Sequence, residues 1–148
     1  MINVARQSAL SYLHALYNGD IDTALTYCDD DIDVIAFASI AIFPDLGHRR
    51  GKTAVAESLR GAFKNYMPTW HEVVSLVSED EKVAAMLRVG LKNVGNGRVV
   101  SLDCAHFFKI RGSRISEIRS FLDSFDVLEQ VLGRDLTTAF GVSAKLSA

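Results

Sequence analysis

Cysteine is scarce in this 148-residue chain, with Cys28 and Cys104 its two examples. A single available pair does not make a disulfide framework in a domain this large, so both thiols are read as reduced and buried. No CxxC or HxxxH spacing occurs, which removes the common metal-ligand patterns, and neither a metal nor a cofactor is expected. Excess charge of one sign is missing as well. Sixteen Lys and Arg against 18 Asp and Glu leave a formal net of −2, so the basic stripe of a nucleic-acid binder is absent and no nucleic-acid partner is expected. No apolar run approaches the roughly 18 residues of a membrane span, and no membrane association is expected. The opening MINVARQSAL has no apolar export core, which predicts a cytoplasmic protein.

What the chain does have is apolar content, 49% of its residues, enough to exclude disorder. Its length is that of one domain, and about 68–70% of the unfolded surface can be buried at this size. One domain is expected over residues 1–133, followed by a weakly patterned tail over 134–148.

Apolar residues at Ala5, Ala9, Leu13 and Leu16 have helical spacing, predicting a helix from Val4 to Tyr17 that Asn18-Gly19 stops. Asp20 can cap a second helix, Ile21 to Cys28. Asp29-Asp30-Asp31 reads as a solvated turn leading into a strand, Ile32 to Phe37. Ile40 to Phe43 is read as a short strand, and Pro44 to Gly47 as a loop. A third helix is expected from about Thr53 to Tyr66. Beyond Pro68 the pattern becomes β: strands at Trp70–Ser78, Lys82–Val94, Arg98–Ile110 and Arg114–Leu122, joined by short turns, imply an antiparallel meander. A last helix covers Ser124 to Leu132 and ends at Gly133. Helices gathered on one face of a mainly antiparallel sheet define an α+β domain, here a strongly curved sheet forming a cone with an apolar cavity.

Gly51-Lys52-Thr53 looks like the end of a phosphate-binding loop. The Gly required five residues earlier is Leu46, and no βαβ context precedes it, so an NTP site is set aside. His48-Arg49-Arg50 reads as a solvated basic loop, or a lip able to attract a carboxylate.

Alternation places Leu102, Cys104, His106, Phe108 and Ile110 on one face of their strand and Ser116, Ile118, Ser120 and Leu122 on the matching face of the next. That set is taken as inward. The opposite face carries Phe107 and Phe121, which points to a homodimer through the sheet. His106 reads as either a hydrogen-bonded core histidine or an acid/base group in a pocket. Tyr12 lies beside the apolar stripe of the first helix. Arg88 lies with Met86 in a mostly apolar strand, and if it turned inward it would need a partner. Asp33 opens the strand that continues through Ile35 and Phe37, and it is the first acid to examine. Trp70 could line the mouth.

With these residues placed, the sequence resembles the nuclear transport factor 2-like superfamily, in its SnoaL-like and ketosteroid isomerase-like branch. The resemblance spans about Ala5 to Leu132. It rests on Tyr12-Leu13-His14-Ala15-Leu16-Tyr17-Asn18-Gly19-Asp20-Ile21-Asp22, Tyr27-Cys28-Asp29-Asp30-Asp31, Arg50-Gly51-Lys52-Thr53-Ala54-Val55, and His106-Phe107-Phe108 with Gly112, Ile115 and Phe121-Leu122-Asp123. It implies a cystatin-like α+β barrel and a homodimer whose pocket takes a small apolar or polyketide-like molecule.

In the isomerase, a Tyr and a protonated Asp form an oxyanion hole while a second Asp moves the proton. By this resemblance Tyr12 falls on the Tyr and His106 on the protonated Asp, but the base falls on or near Ile35. In the polyketide cyclases, Tyr12 and His106 match, while Ser120 stands where the acid is expected. In the limonene epoxide hydrolases, Arg88 resembles the Arg, while Gly90 and Ser120 occupy the two acid positions. Each chemistry loses a carboxylate here. The expected function is therefore a pocket protein with isomerase-, cyclase- or dehydratase-type proton transfer by Tyr12, His106 and Arg88. The pocket wall is expected to comprise Asp33, Ile35, Phe37, Trp70, Met86, Cys104, Phe108, Ile118, Ser120 and Leu122. The alternatives are a noncatalytic ligand-binding domain and an interaction module with a filled interior, the last of which a cavity far below ~300 Å³ would favour.

Overall fold

The computed structural model describes residues 3–39 and 41–133. The expected tail, 134–148, and residue 40 lie outside them. Helix α1 runs Val4–Tyr17, with the Asn3 side chain accepting from the Arg6 amide, and α2 runs Ile21–Leu25 behind an Asp20 cap. Then come β1 (Cys28–Phe37), β2 (His48–Arg50), α3 (Lys52–Asn65), β3 (Tyr66–Glu79), β4 (Lys82–Asn93), β5 (Val99–Arg111), β6 (Arg114–Leu122) and α4 (Ser124–Leu132).

The six strands form one sheet in the order β2-β1-β6-β5-β4-β3. From β3 to β6 it is the expected antiparallel meander. Two features depart from that expectation. First, β1 joins β6 in parallel, because the connection from one to the other passes through α3 and the whole meander. Second, β2 pairs antiparallel with β1, so His48-Arg49-Arg50 is an edge strand rather than a loop.

Several boundaries move for identifiable reasons. The second helix stops at Leu25 because Cys28 already pairs with Ile115 in the sheet. Asp29-Asp30-Asp31 is strand, not turn. Its charge is answered by Arg111 of β5, 2.8 Å from Asp29 and 3.4 Å from Asp31, and by Lys52 of α3, 3.5 Å from Asp30. Residues 41–43 form turns rather than a strand, with the Phe43 amide donating to the Ser39 carbonyl. Strand β3 continues through Pro68, paired with Leu91. Proline is tolerated there because β3 is an edge strand and needs no donor on its open side.

The core lies between the helices and one face of the sheet. Ala5, Ala9, Leu13 and Leu16 of α1 are buried against Val83, Ala85, Leu87 and Val89 of β4 and the even-numbered residues of β5 from Val100 to Ile110. Strand β6 has a register shift opposite Lys109 and Ile110. Ile115 and Ile118 are therefore both buried, while the Ser116 hydroxyl bonds the Lys109 carbonyl and does not face the core. Bulges in β3 and β6 bend their strands and deepen the covered face.

Candidate functional site

Strand pairing decides which side chains of β1 see the helices. Ile32 is fully buried, and alternation carries Val34 and Ala36 to the same face, where they line a cavity. Asp33, Ile35 and Phe37 therefore point to the opposite, outer face. There Asp33 accepts from His48 Nε2 at 2.7 Å and from Arg119 Nη2 at 2.7 Å, while Arg119 also reaches Glu117 at 2.9 Å. The bond from His48, aided by Arg119, holds the Asp33 carboxyl below the usual range despite some burial. Asp33 is thus bound within an outer-face ion network, and Phe37 stacks on Phe121 with centroids 4.6 Å apart.

Arg88 also belongs to the outer face. Its inward neighbours Leu87 and Val89 are buried, and its guanidinium meets Asp103 at 3.0 Å in an exposed pair. Met86 shares that face and is exposed. Trp70 lies over Gly90, where a Cβ would run into the indole, and it does not border the cavity. The expected places of Asp33, Ile35, Phe37, Trp70, Met86 and Arg88 in the pocket are therefore corrected.

The cavity sits between α1, α3, β1, the end of β6 and the loop carrying Phe43, Leu46 and Gly47. Its volume is about 80 Å³, several times the 10–15 Å³ a single water needs but below the ~300 Å³ of a drug-sized site. Of the residues singled out from sequence, Tyr12, His106, Ser120 and Leu122 line it. Cys104, Phe108 and Ile118, also expected in the wall, are buried in the core and do not line it, which corrects their expected places. Phe108 packs the edge of Tyr12 at 5.8 Å.

A polar chain crosses the apolar floor. Tyr17 Oη lies 2.8 Å from His106 Nε2, and Ser120 Oγ lies 2.6 Å from His106 Nδ1. A neutral imidazole has one donor and one acceptor, so one hydroxyl donates to the ring and the other accepts from it. Burial favours that neutral form and lowers the His106 pKa to about 4. The same burial pushes the Tyr12 and Tyr17 hydroxyls well above their ordinary value and holds the Cys104 thiol up at about 11. At neutral pH the phenols lining the cavity are therefore protonated and the imidazole between Tyr17 and Ser120 is uncharged.

Unlike Tyr17, the Tyr12 hydroxyl makes no hydrogen bond among the described residues. Tyr12 is buried and lines the cavity. Sequence reasoning missed Tyr17 and treated Arg49 only as part of a basic lip, yet both line the cavity. Tyr17 stands one helical turn after Leu13, on the buried stripe, and that spacing was a usable signal. No carboxylate lines the cavity among the described residues, and no group of three or more potential metal ligands occurs among them. No described helix is long and apolar enough to cross a membrane.

Helices packed on a six-stranded mixed, mostly antiparallel sheet, with a cavity between them, define the nuclear transport factor 2-like class of α+β folds. The sequence matches the SnoaL-like domain over residues 9–118, and the chain belongs to that family. It is similar to a proposed isomerase from Rhodopseudomonas palustris, with 30% identity, 86% of this chain and 97% of that chain covered, and a TM-score of 0.78. A nuclear transport factor 2-like protein from Burkholderia xenovorans shares the fold at 21% identity, covering 85% of this chain and 94% of that one, with a TM-score of 0.71. So does TerC, crystallised with polyporic acid, at 13% identity over 88% and 99% of the two chains, with a TM-score of 0.77. No curated protein matches the sequence closely enough to count.

Proposed function

We propose that the cavity binds a small apolar molecule carrying a hydrogen-bond acceptor, of the carbonyl-bearing, polyketide-like kind. Any proton transfer on that molecule would be of isomerase, cyclase or dehydratase type, with Tyr12 donating to the oxygen and His106 as the acid/base group. The observation that carries this reading is that Tyr12, whose hydroxyl has no hydrogen-bond partner among the described residues, lines one apolar cavity with His106, whose two ring nitrogens are both bonded. Partnership with a second copy through the outer sheet face completes the proposal. TerC, which shares the fold, was crystallised with polyporic acid, and this supports a small-molecule ligand for this chain. With His106 held neutral and no carboxylate on the wall among the described residues, binding and oxyanion stabilisation are favoured over proton abstraction.

The test is a nuclear magnetic resonance titration with cyclohexanone. Saturable shifts confined to Tyr12, Leu16, Val34, Ala36 and Ser120 are expected. A single neutral hydrogen bond contributes about 0.5–1.5 kcal/mol, so Tyr12→Phe should weaken binding roughly two- to tenfold while leaving stability nearly unchanged. The cavity's volume of about 80 Å³ favours a second reading, an interaction module with a largely filled interior. The absence of saturable shifts along the cavity wall would support that reading instead.

A further inference from the structure

The wall of the cavity carries one cationic side chain among the described residues, Arg49, and its direction follows from the strand that bears it. In β2, Arg49 pairs with Val34, whose side chain faces the cavity. Its neighbour His48 turns the other way to meet Asp33 on the outer face. Alternation thus sends Arg49 inward at the rim. There the guanidinium is fixed by two backbone carbonyls, Nη2 donating to Asp45 at 3.0 Å and Nη1 to His48 at 2.9 Å. Two of its five N–H donors are used, and the remaining three are unassigned.

No carboxylate oxygen among the described residues lies within 4.0 Å of the Arg49 guanidinium. Asp45 and Glu57 border a separate shallow depression together with Arg49 and Ser58, and neither acid lines the cavity. Arg49 is also half-buried, so it carries a partly desolvated charge without a counter-ion on its cavity side. Such a group gains most from an anion that comes with its own apolar body, because a planar guanidinium matches a carboxylate with two parallel donors.

We infer that the cavity takes its occupant as an anion, a small apolar carboxylate whose carboxylate meets Arg49 at the rim and whose single ring or short chain fills the interior. This rests on the proposed small-molecule reading and adds the charge of the ligand to it. Size and charge agree. A cavity of about 80 Å³ holds one ring rather than several, and the absence of wall carboxylates among the described residues leaves no repulsion against an acid. The far end of the ligand then approaches the Tyr12 hydroxyl, leaving the Tyr17–His106–Ser120 chain as a neutral floor.

The test compares benzoate with its neutral isostere benzamide by calorimetric titration of the full chain at neutral pH and low salt. Benzoate should bind at least tenfold more tightly, and Arg49→Gln should remove that preference by weakening benzoate at least tenfold more than benzamide. Arg49→Lys, which keeps the charge but not the fork, should retain part of it. In wild-type protein labelled with 15N-arginine, the Arg49 Nε resonance should move with benzoate and not with benzamide, a readout independent of whether any variant folds. Equal binding of both compounds overturns the anion inference and leaves the cavity reading in place. Binding of neither overturns both. A preference that persists in Arg49→Gln, with an unmoved Arg49 resonance, overturns the role of Arg49.

Discussion

His106 shows how one buried side chain can make stability depend on pH. Its folded-state pKa lies near 4, lowered by burial from an unfolded value of 6.5. Above 6.5 the ring is neutral in both states and the fold carries no penalty. As pH falls from 6.5 towards 4 the unfolded chain takes up a proton that the folded chain refuses, so stability is lost across that window and the loss is complete below it. A shift of this size corresponds to about 3 kcal/mol. Urea denaturation at pH 7 and pH 4.5 should show most of that difference. His106→Gln, less stable overall, should show a smaller difference by about that amount, and an unchanged difference would contradict the neutral buried ring. His71, whose pKa is lowered by burial and by His14, contributes in the same direction but is present in both proteins. Asp33, with its pKa lowered, loses its contribution only below about 3.8, outside the window.

At this scale the sequence was partly legible. His106 and Ser120 could be placed because their strands alternate cleanly between apolar and polar. Arg88 could have been placed by the same rule, since Val83, Ala85, Leu87 and Val89 are the buried set. A run apolar on both faces hid that alternation. In β1 the one polar marker is Asp33, which shares the outer face with Ile35 and Phe37, and the apolar residues that follow it on both faces masked the separation from Val34 and Ala36, which line the cavity.

Among the elements, α1 and the antiparallel meander were readable because their signals are local: helical spacing, short turns, a capping Asp123 and a left-handed Gly133 at the ends of α4. The parallel β1–β6 pairing and the edge strand β2 were not, because both depend on partners about 15 to 85 residues away. The contact of Trp70 with Gly90 is a device of this kind. The two residues pair across β3 and β4, and the missing Cβ of Gly90 lets the indole lie on the strand. Gly90→Ala forces the ring off at a cost of about 1–3 kcal/mol. Gly90 is not among the glycines with positive φ, so backbone strain does not enter. Trp70 is the sole tryptophan, and its emission reports the displacement directly. A shifted emission and a lower urea midpoint are expected, both reduced when Trp70→Ala is added to Gly90→Ala. An unaltered spectrum would show that the indole does not rest on Gly90.

On the scale of the whole molecule, the outer sheet face is the feature one chain leaves uncovered. Phe37, Phe107 and Phe121 are each nearly half exposed, yet they form one cluster, with Phe107 meeting Phe121 edge-on at 5.9 Å beside the Phe37–Phe121 stack. Met86 and Val77 extend the apolar surface towards β3. Pairs of opposite charge border it, Arg88 with Asp103 and Arg119 with Asp33 and Glu117. An apolar centre within a rim of paired charges has the anatomy of a self-complementary interface, which supports a dimer of about 800 Å² buried per copy. Sedimentation should then give twice the 16.2 kDa chain mass. Burying a Phe contributes about 1.5–3 kcal/mol, and two-fold symmetry counts the change twice. Phe107→Arg should therefore weaken association by roughly 10²- to 10⁴-fold and yield monomer at micromolar concentration. Val94→Arg, at an exposed residue beyond the end of β4, should leave the mass unchanged. A wild-type chain that sediments as a monomer would remove the dimer from the proposal. The cavity reading would survive that result, because the groups it rests on, Tyr12, His106 and Arg49, line the cavity together within one chain.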